Sequence, residues 1–298
     1  MKKDKTWKKT FGLVRYPGGK YYATRRLKDY CPVKFNTLIS PFVGGGALEI
    51  NLFYNERCDK LIINDNFKPL INLYKCAIKD NPRLERTYNK YLLTLPSHKS
   101  HDFTEREMFN PLLNDYQRAS AYMRQTKYNY PSVRHGSFSK STCSRDTSKN
   151  YTDYYYKTLY QKNIVCHDYD FEKFLNMYKD GYTYLDPPYY KAGSHFYKMG
   201  NYKNKKTITT RRLASNFNHK KLRDILSKRN KWVLSYDNHP VIKEMYKDIS
   251  NIYYETWIYS IKPGHDRFGH IELVITSKDI TPPPNAVKFN NVKRITIN

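Results

Sequence analysis

Leu38-Ile39-Ser40-Pro41-Phe42-Val43-Gly44-Gly45-Gly46-Ala47-Leu48-Glu49 reads as a short buried strand, a glycine-rich turn and the opening of a helix. Glycines in such a turn let the backbone bend sharply and approach a ligand with no Cβ in the way. The helix N-terminus behind them offers unpaired N–H groups. Taken alone, the stretch is equally a plain tight turn. The same strand-then-helix rhythm recurs on either side of it. Lys60–Asn64, Asn163–Cys166, Tyr182–Leu185, Trp232–Ser235 and Ile271–Ile275 read as short strands. Residues 47–56, 66–80, 171–180, 218–230 and 239–249 carry apolar positions at helical spacing. This alternation predicts an α/β fold, a parallel sheet covered on both faces. The last two strands, around 253–261 and 270–277, are joined by too short a link for a crossover helix. They are expected as an antiparallel pair at the sheet edge.

The rhythm breaks in the middle. Residues 82–162 read as helices followed by a polar, tyrosine-rich segment, and an inserted lobe is expected there. Between Tyr116 and Asn163 that segment holds nine Lys and Arg against Asp146 and Asp153. From Pro187 through Arg223 there are ten Lys and Arg and no acid, read as a basic loop. Residues 1–10 read as a basic tail. The Thr281-Pro282-Pro283-Pro284 run is read as ending the fold, with 281–298 as a C-terminal tail.

Composition narrows the function classes. The 298 residues carry a formal net charge of +26, which points to a polyanionic partner, nucleic acid first, with a solvated basic surface as the alternative that charge alone does not exclude. Hydrophobic content of 39% with 16% aromatics excludes a disordered chain. No apolar run reaches the ~18 residues of a membrane span, and the basic start leads into no apolar stretch. The five cysteines are odd in number and never spaced as a CxxC pair, which fits a reducing, intracellular and soluble setting. The nine histidines form no cluster at metal-ligand spacing, so no catalytic metal is expected.

Two further motifs carry chemistry. Asp65 closes the strand Leu61-Ile62-Ile63-Asn64, about twenty residues after the glycines. An acid there accepts hydrogen bonds from ribose hydroxyls, or caps the helix that follows. Asp186-Pro187-Pro188-Tyr189 follows Tyr182-Thr183-Tyr184-Leu185 directly. Two prolines cannot continue a ladder, so the chain leaves the sheet at its carboxyl edge in a fixed, extended form. The Asp and its neighbouring carbonyls then face the crevice where open α/β sheets bind ligands. Acceptors beside an aromatic plate suit a planar base bearing an exocyclic amine. A proline-stiffened loop with a capping Asp is the plainer alternative. Asp237-Asn238-His239-Pro240 is read as a loop with a helix cap.

The order of Arg15-Tyr16-Pro17-Gly18-Gly19-Lys20, Pro41-Phe42-Val43-Gly44-Gly45-Gly46, Asp65 and Asp186-Pro187-Pro188-Tyr189 resembles the Dam-type family of DNA adenine-N6 methyltransferases across residues 11–277. The resemblance implies a Rossmann-like, seven-stranded, S-adenosylmethionine-dependent methyltransferase sheet formed by residues 11–81 and 163–280. It also implies an inserted, mostly helical DNA-recognition lobe over 82–162. Tyr16, Gly18, Lys20, Pro41, Phe42, Gly44 and Gly46 would line the cofactor pocket, with Asp65 on the ribose. Asp168 and Tyr169 would contact the cofactor's adenine, and Asp186 would border the same pocket. The family's usual Trp-Ala before the first Gly-Gly is Tyr-Pro here, which keeps an aromatic in place. Lys127-Tyr128-Asn129 and Gly136-Ser137-Phe138 loosely echo the family's lobe motif.

The implied reaction is site-specific methylation of adenine N6 in double-stranded DNA, with Asp186, Pro187, Pro188 and Tyr189 as the catalytic motif. A short palindrome such as GATC is the expected target, and a cognate restriction endonuclease a possible partner. Arg124, Lys127, Tyr128, Arg134 and Lys140 in the lobe are expected at DNA. Lys198, Lys205, Arg211 and Arg212 in the basic loop are expected there too, and His195, Phe196 and Tyr197 over the base. Arg267 reads equally as a cofactor or DNA contact and as an exposed loop charge. Methylation of cytosine N4 or of RNA adenine, or a catalytically silent DNA-binding module, remain the alternatives.

Overall fold

The computed structural model describes residues 12–14, 16, 18–94, 106–128, 159–160, 162–190, 217–257 and 270–289. A short helix α1 (Thr24–Leu27) precedes β1 (Phe35–Ser40), α2 (Ala47–Tyr54), β2 (Cys58–Asn64) and α3 (Lys68–Lys79). Two helices of the central region follow, α4 (Asn81–Thr94) and α5 (Asp115–Tyr128). The chain then returns to alternation with β3 (Ile164–His167), α6 (Phe171–Met177), β4 (Tyr182–Leu185), α7 (His219–Leu226), β5 (Trp232–Asp237) and α8 (Pro240–Tyr246). It closes with β6 (Ser250–Trp257), β7 (His270–Ser277) and β8 (Val287–Lys288).

The strands form one sheet in the order β3-β2-β1-β4-β5-β7-β6-β8. From β3 to β5 every pair is parallel; β7 runs antiparallel between β5 and β6. The expected antiparallel pair is therefore present, with its later strand on the inside. Both faces of the strands are apolar because both are covered. Leu38, Leu61, Ile63, Tyr184 and Val233 enter one core together with side chains of α1 to α5. Ile39, Ile62, Leu185, Leu234 and Tyr236 enter the other beneath α6, α7 and α8. Alternation at period two along β1 puts Leu38 and Ile39, both fully buried, on opposite faces.

One expectation changes. The sheet has eight strands where seven were expected, and the eighth lies within the stretch read as tail. β8 pairs antiparallel with β6 (Tyr254 opposite Val287), and Phe289 packs on Tyr254 with ring centroids 5.9 Å apart. An open strand edge with unpaired N–H and C=O groups recruits such a cover. The described helices of the inserted stretch share a core with the sheet. Leu84, Tyr88, Tyr116, Ala119 and Tyr122 are buried in the same cluster as β1 and β2, and α3 packs against α4 and α5. Asn114 and Gln117 open α5 as a reciprocal cap, each side chain accepting the other's backbone N–H at 3.0 and 3.1 Å. The basic tail at 1–10 lies outside the described residues.

Candidate active site

The strand order reverses between β1 and β4, the place where loops leaving the carboxyl ends diverge and open a crevice. The glycine turn after β1 and Asp186-Pro187-Pro188-Tyr189 after β4 flank it. Gly44 and Gly46 have φ of 48° and 68°, the left-handed region that side chains avoid. A Cβ on Gly46 would stand 2.4 Å from the Tyr74 hydroxyl oxygen, and one on Gly44 3.0 Å from the Tyr16 ring. Asp65 ties the turn down: its carboxylate accepts the Gly44 N–H at 3.2 Å and the Phe67 N–H at 2.9 Å. Its burial at 8% exposure lifts the pKa to about 6. Asp65 thus braces the glycine turn and the entry to α3, whose N-cap is Phe67 with no side-chain cap. Gly46→Ala is expected to cost about 2 kcal/mol in urea unfolding, the sum of a left-handed backbone and a clash with Tyr74.

Asn64, the last residue of β2, which the sequence reading passed over, joins the loops after β1 and β3. Its amide donates to the carbonyls of Pro41 (3.1 Å) and Tyr169 (3.0 Å), and its oxygen accepts the Tyr169 N–H at 2.8 Å. A polar residue ending an apolar strand was the available signal. Tyr169 stacks on His167 with centroids 5.0 Å apart, and Asp168 lies half-buried beside it. Phe42 packs on Phe171 at 5.6 Å and on Phe217 at 5.5 Å, an aromatic wall along this rim.

Across the crevice, Lys20 brings its ammonium 2.8 Å from Asp186 Oδ1 and donates to the Gly18 carbonyl at 3.0 Å. The same ammonium sits 4.7 Å from the centroid of the Tyr189 ring. Lys20 is 4% exposed, so its charge works in a low dielectric. Burial raises the pKa of Asp186, and Lys20 pulls it back. Tyr189 stacks near-parallel on Tyr236 at 5.8 Å, and its hydroxyl donates to Glu272 of β7. The next amide, Tyr190 N–H, donates to Asp237 at 3.0 Å. Glu272 and Glu49 escaped notice as functional residues because each lies in an apolar strand or helix pattern. Glu49 accepts the Ser40 hydroxyl at 2.7 Å. Burial pushes both carboxyls up to about 7, with Lys20 opposing in each case.

A carboxyl whose pKa is higher in the native protein than unfolded holds its proton more tightly when folded. Its stabilising share is present at low pH and is lost as pH rises through about 7. Glu49→Gln is therefore expected to gain stability relative to the parent between pH 5 and pH 8. Paired thermal melts across that range read it directly, and a constant difference would count against the ionisation account.

The expected DNA residues are largely beyond view. Arg134, Lys140, Lys198, Lys205, Arg211, Arg212 and Arg267, with His195, Phe196 and Tyr197, lie outside the described residues, and so do the side chains of Lys127 and Tyr128. Arg124 is placed differently from expectation. It is 4% exposed inside the α5 packing, where its charge acts on Glu107 and Tyr91. Helical register aims it at the core. The helix cap expected from Asp or Asn in Asp237-Asn238-His239-Pro240 is instead His239, whose ring accepts the Val241 N–H at 3.3 Å. Among the described residues no group of His, Cys, Asp and Glu is arranged to hold a metal ion, and no helix is long and apolar enough to cross a membrane.

A mostly parallel sheet, a glycine turn and an Asp-Pro-Pro-Tyr segment meeting at the reversal point now meet a direct comparison: the family model of D12 class N6 adenine-specific DNA methyltransferases matches residues 16–261. The chain belongs to this family. Curated relatives agree. The chain is 27% identical over 199 residues to the type II methyltransferase M1.LlaDCHI of Lactococcus lactis subsp. cremoris, covering 59% of this chain and 65% of that one. It is 26% identical to the type II methyltransferase M.CviBI of Paramecium bursaria Chlorella virus NC1A, covering 59% and 68%. To the DNA adenine methylase of Haemophilus influenzae it is 24% identical, covering 59% and 63%. The chain thus spans between 63% and 68% of the length of these three relatives.

Proposed function

We propose that this chain transfers a methyl group from S-adenosylmethionine to N6 of an adenine rotated out of double-stranded DNA, at a specific sequence. The observation that carries the reading is Asp186, held by the buried Lys20 at the sheet's reversal point, with Tyr189 beside it and the glycine turn opposite. Two of the relatives are named type II methyltransferases, which supports a modification enzyme of that kind. The net charge of +26 suits a phosphate backbone.

The crevice residues fit S-adenosylmethionine. Gly18 has open space where a Cβ would stand, and Gly44 and Gly46 keep side chains out of the turn. Asp65 offers acceptor oxygens to a ribose, and the aromatic rim of Phe42, with Tyr169 and Asp168, offers a place for an adenine. Tyr16, Lys20 and Pro41 border the methionine end in this reading. The buried acids Glu49 and Glu272, with the half-buried Asp186, around one ammonium favour a ligand that brings positive charge. Bound there, it supplies an electrophilic methyl group.

The chain's own residues act on the nucleophile. The lone pair of adenine N6 is delocalised into the ring. Asp186 and the Pro187 carbonyl accept its two hydrogens, return density to nitrogen and aim it. Pro187 and Pro188 fix that carbonyl, since neither can rotate about φ. Tyr189 offers its ring to a base that has left the helix stack. The N6 proton leaves once the methyl bond has formed, so Asp186 orients and accepts, and no strong base need wait beforehand.

The test is to incubate the protein with methyl-labelled S-adenosylmethionine and unmethylated genomic DNA, digest to nucleosides and identify the labelled one. Label in N6-methyl-2′-deoxyadenosine is expected. Label in a cytosine would overturn the reading, as would DNA binding with no transfer.

A further inference from the structure

We propose that Glu272, reaching from β7, is a positioning residue that fixes the rotation of the Tyr189 ring against which the target base is held. This rests on the function proposed above. The two prolines set where Tyr189 leaves the sheet, but they leave its side-chain torsions free. Three contacts settle the ring. Tyr236 backs it, near-parallel at an interplanar angle of 28°. The Lys20 ammonium lies 4.7 Å from its centroid. Its hydroxyl donates to Glu272 Oε2, the one of the three that acts at the far end of the ring, where leverage on its tilt is greatest.

Glu272 is itself held from both sides. β7 is flanked by β5 and β6, and Glu272 lies opposite Asp237 on one and Glu255 on the other. Asp237 fixes the Tyr190 amide and Glu255 accepts the Tyr30 hydroxyl at 2.8 Å. Of these three acids in a row across three strands, Glu272 and Asp237 hold the adjacent Tyr189 and Tyr190, while Glu255 holds the buried core residue Tyr30. A carboxylate at 4% exposure is costly to bury, and a leucine would serve packing alone at no such cost. A charge-assisted bond to the phenol is what the acid adds.

Three variants decide it: Glu272→Gln, whose amide oxygen still accepts a phenolic hydrogen, Glu272→Leu, and Tyr189→Phe. Methyl transfer is followed together with fluorescence of a DNA carrying 2-aminopurine at the target position, and thermal melts check folding. Glu272→Leu and Tyr189→Phe are each expected to lower kcat by ~10-fold with KM for S-adenosylmethionine held within about twofold. The combined variant should be no slower than the worse single one, and Glu272→Gln should recover most of the rate. The fluorescence of the bound, extruded base should change in Glu272→Leu and return in Glu272→Gln. Multiplied losses in the combined variant, or a folded Glu272→Leu with parental rate and fluorescence, would overturn the inference. Absence of transfer by the parent protein would instead overturn the function proposed above, so the two failures are separable.

Discussion

Replacing Asp186 with alanine is expected to lower the rate of methyl transfer by ~10³-fold, the scale of losing a preorganised electrostatic contact in a water-poor site. The fold should survive. Lys20, which loses its partner at 2.8 Å, keeps the fields of Glu49 and Glu272 nearby. DNA affinity should change little, because backbone phosphates rather than the crevice carry most of it. Asp186→Asn retains an acceptor oxygen but surrenders the charge, so its rate is expected between alanine and the parent. Single-turnover transfer of labelled methyl groups, beside a gel shift, measures both quantities. A rate within tenfold of the parent in the alanine variant would remove Asp186 from the chemistry.

Lys20→Met carries the larger expected effect on stability. The substitution keeps an apolar stem of similar length and removes the cation that offsets burial at Asp186, Glu49 and Glu272. Breaking a buried pair by deleting one partner typically costs ~3–5 kcal/mol, and here more than one acid loses its counter-charge. The sign of the pH dependence follows from the acids. Their pKa values rise further without Lys20, so the native state demands protons, and the penalty grows as pH increases through 7 and beyond. Urea unfolding at pH 8 should show a loss of about 3 kcal/mol or more, and at pH 5.5 a clearly smaller one. Equal losses at the two values would mean that Lys20 contributes packing and no charge.

Much of this molecule is written in local pattern. The turn from Leu38 to Glu49 and the segment from Tyr182 to Tyr189 each announce a strand end by changing period and composition within a few residues. Backbone chemistry at Gly, Pro and Asp leaves little choice there. The helix expected over 218–230 is shorter: it spans His219–Leu226, and Ser227-Lys228-Arg229-Asn230 beyond it holds no apolar residue to bury. The cover strand β8 was illegible: two residues hold no period of their own, and only the open edge of β6 explains them.

For the site, the sequence by itself determined the class of sheet, the glycine turn, the carboxylate that follows β4 and the positive charge that calls for a polyanion. Those follow from residue type and short spacing, which fold into the same local shape almost wherever they occur. Only the tertiary structure decided the partners: Lys20 against Asp186 across 166 positions of chain, Glu272 against Tyr189, Asn64 between the loops after β1 and β3, and Arg124 turned inward on α5. A charged residue in a strand or helix looks alike in sequence whether it meets water or another buried charge. Which of the two it meets is settled by the packing of distant segments, and with it the pKa and the role.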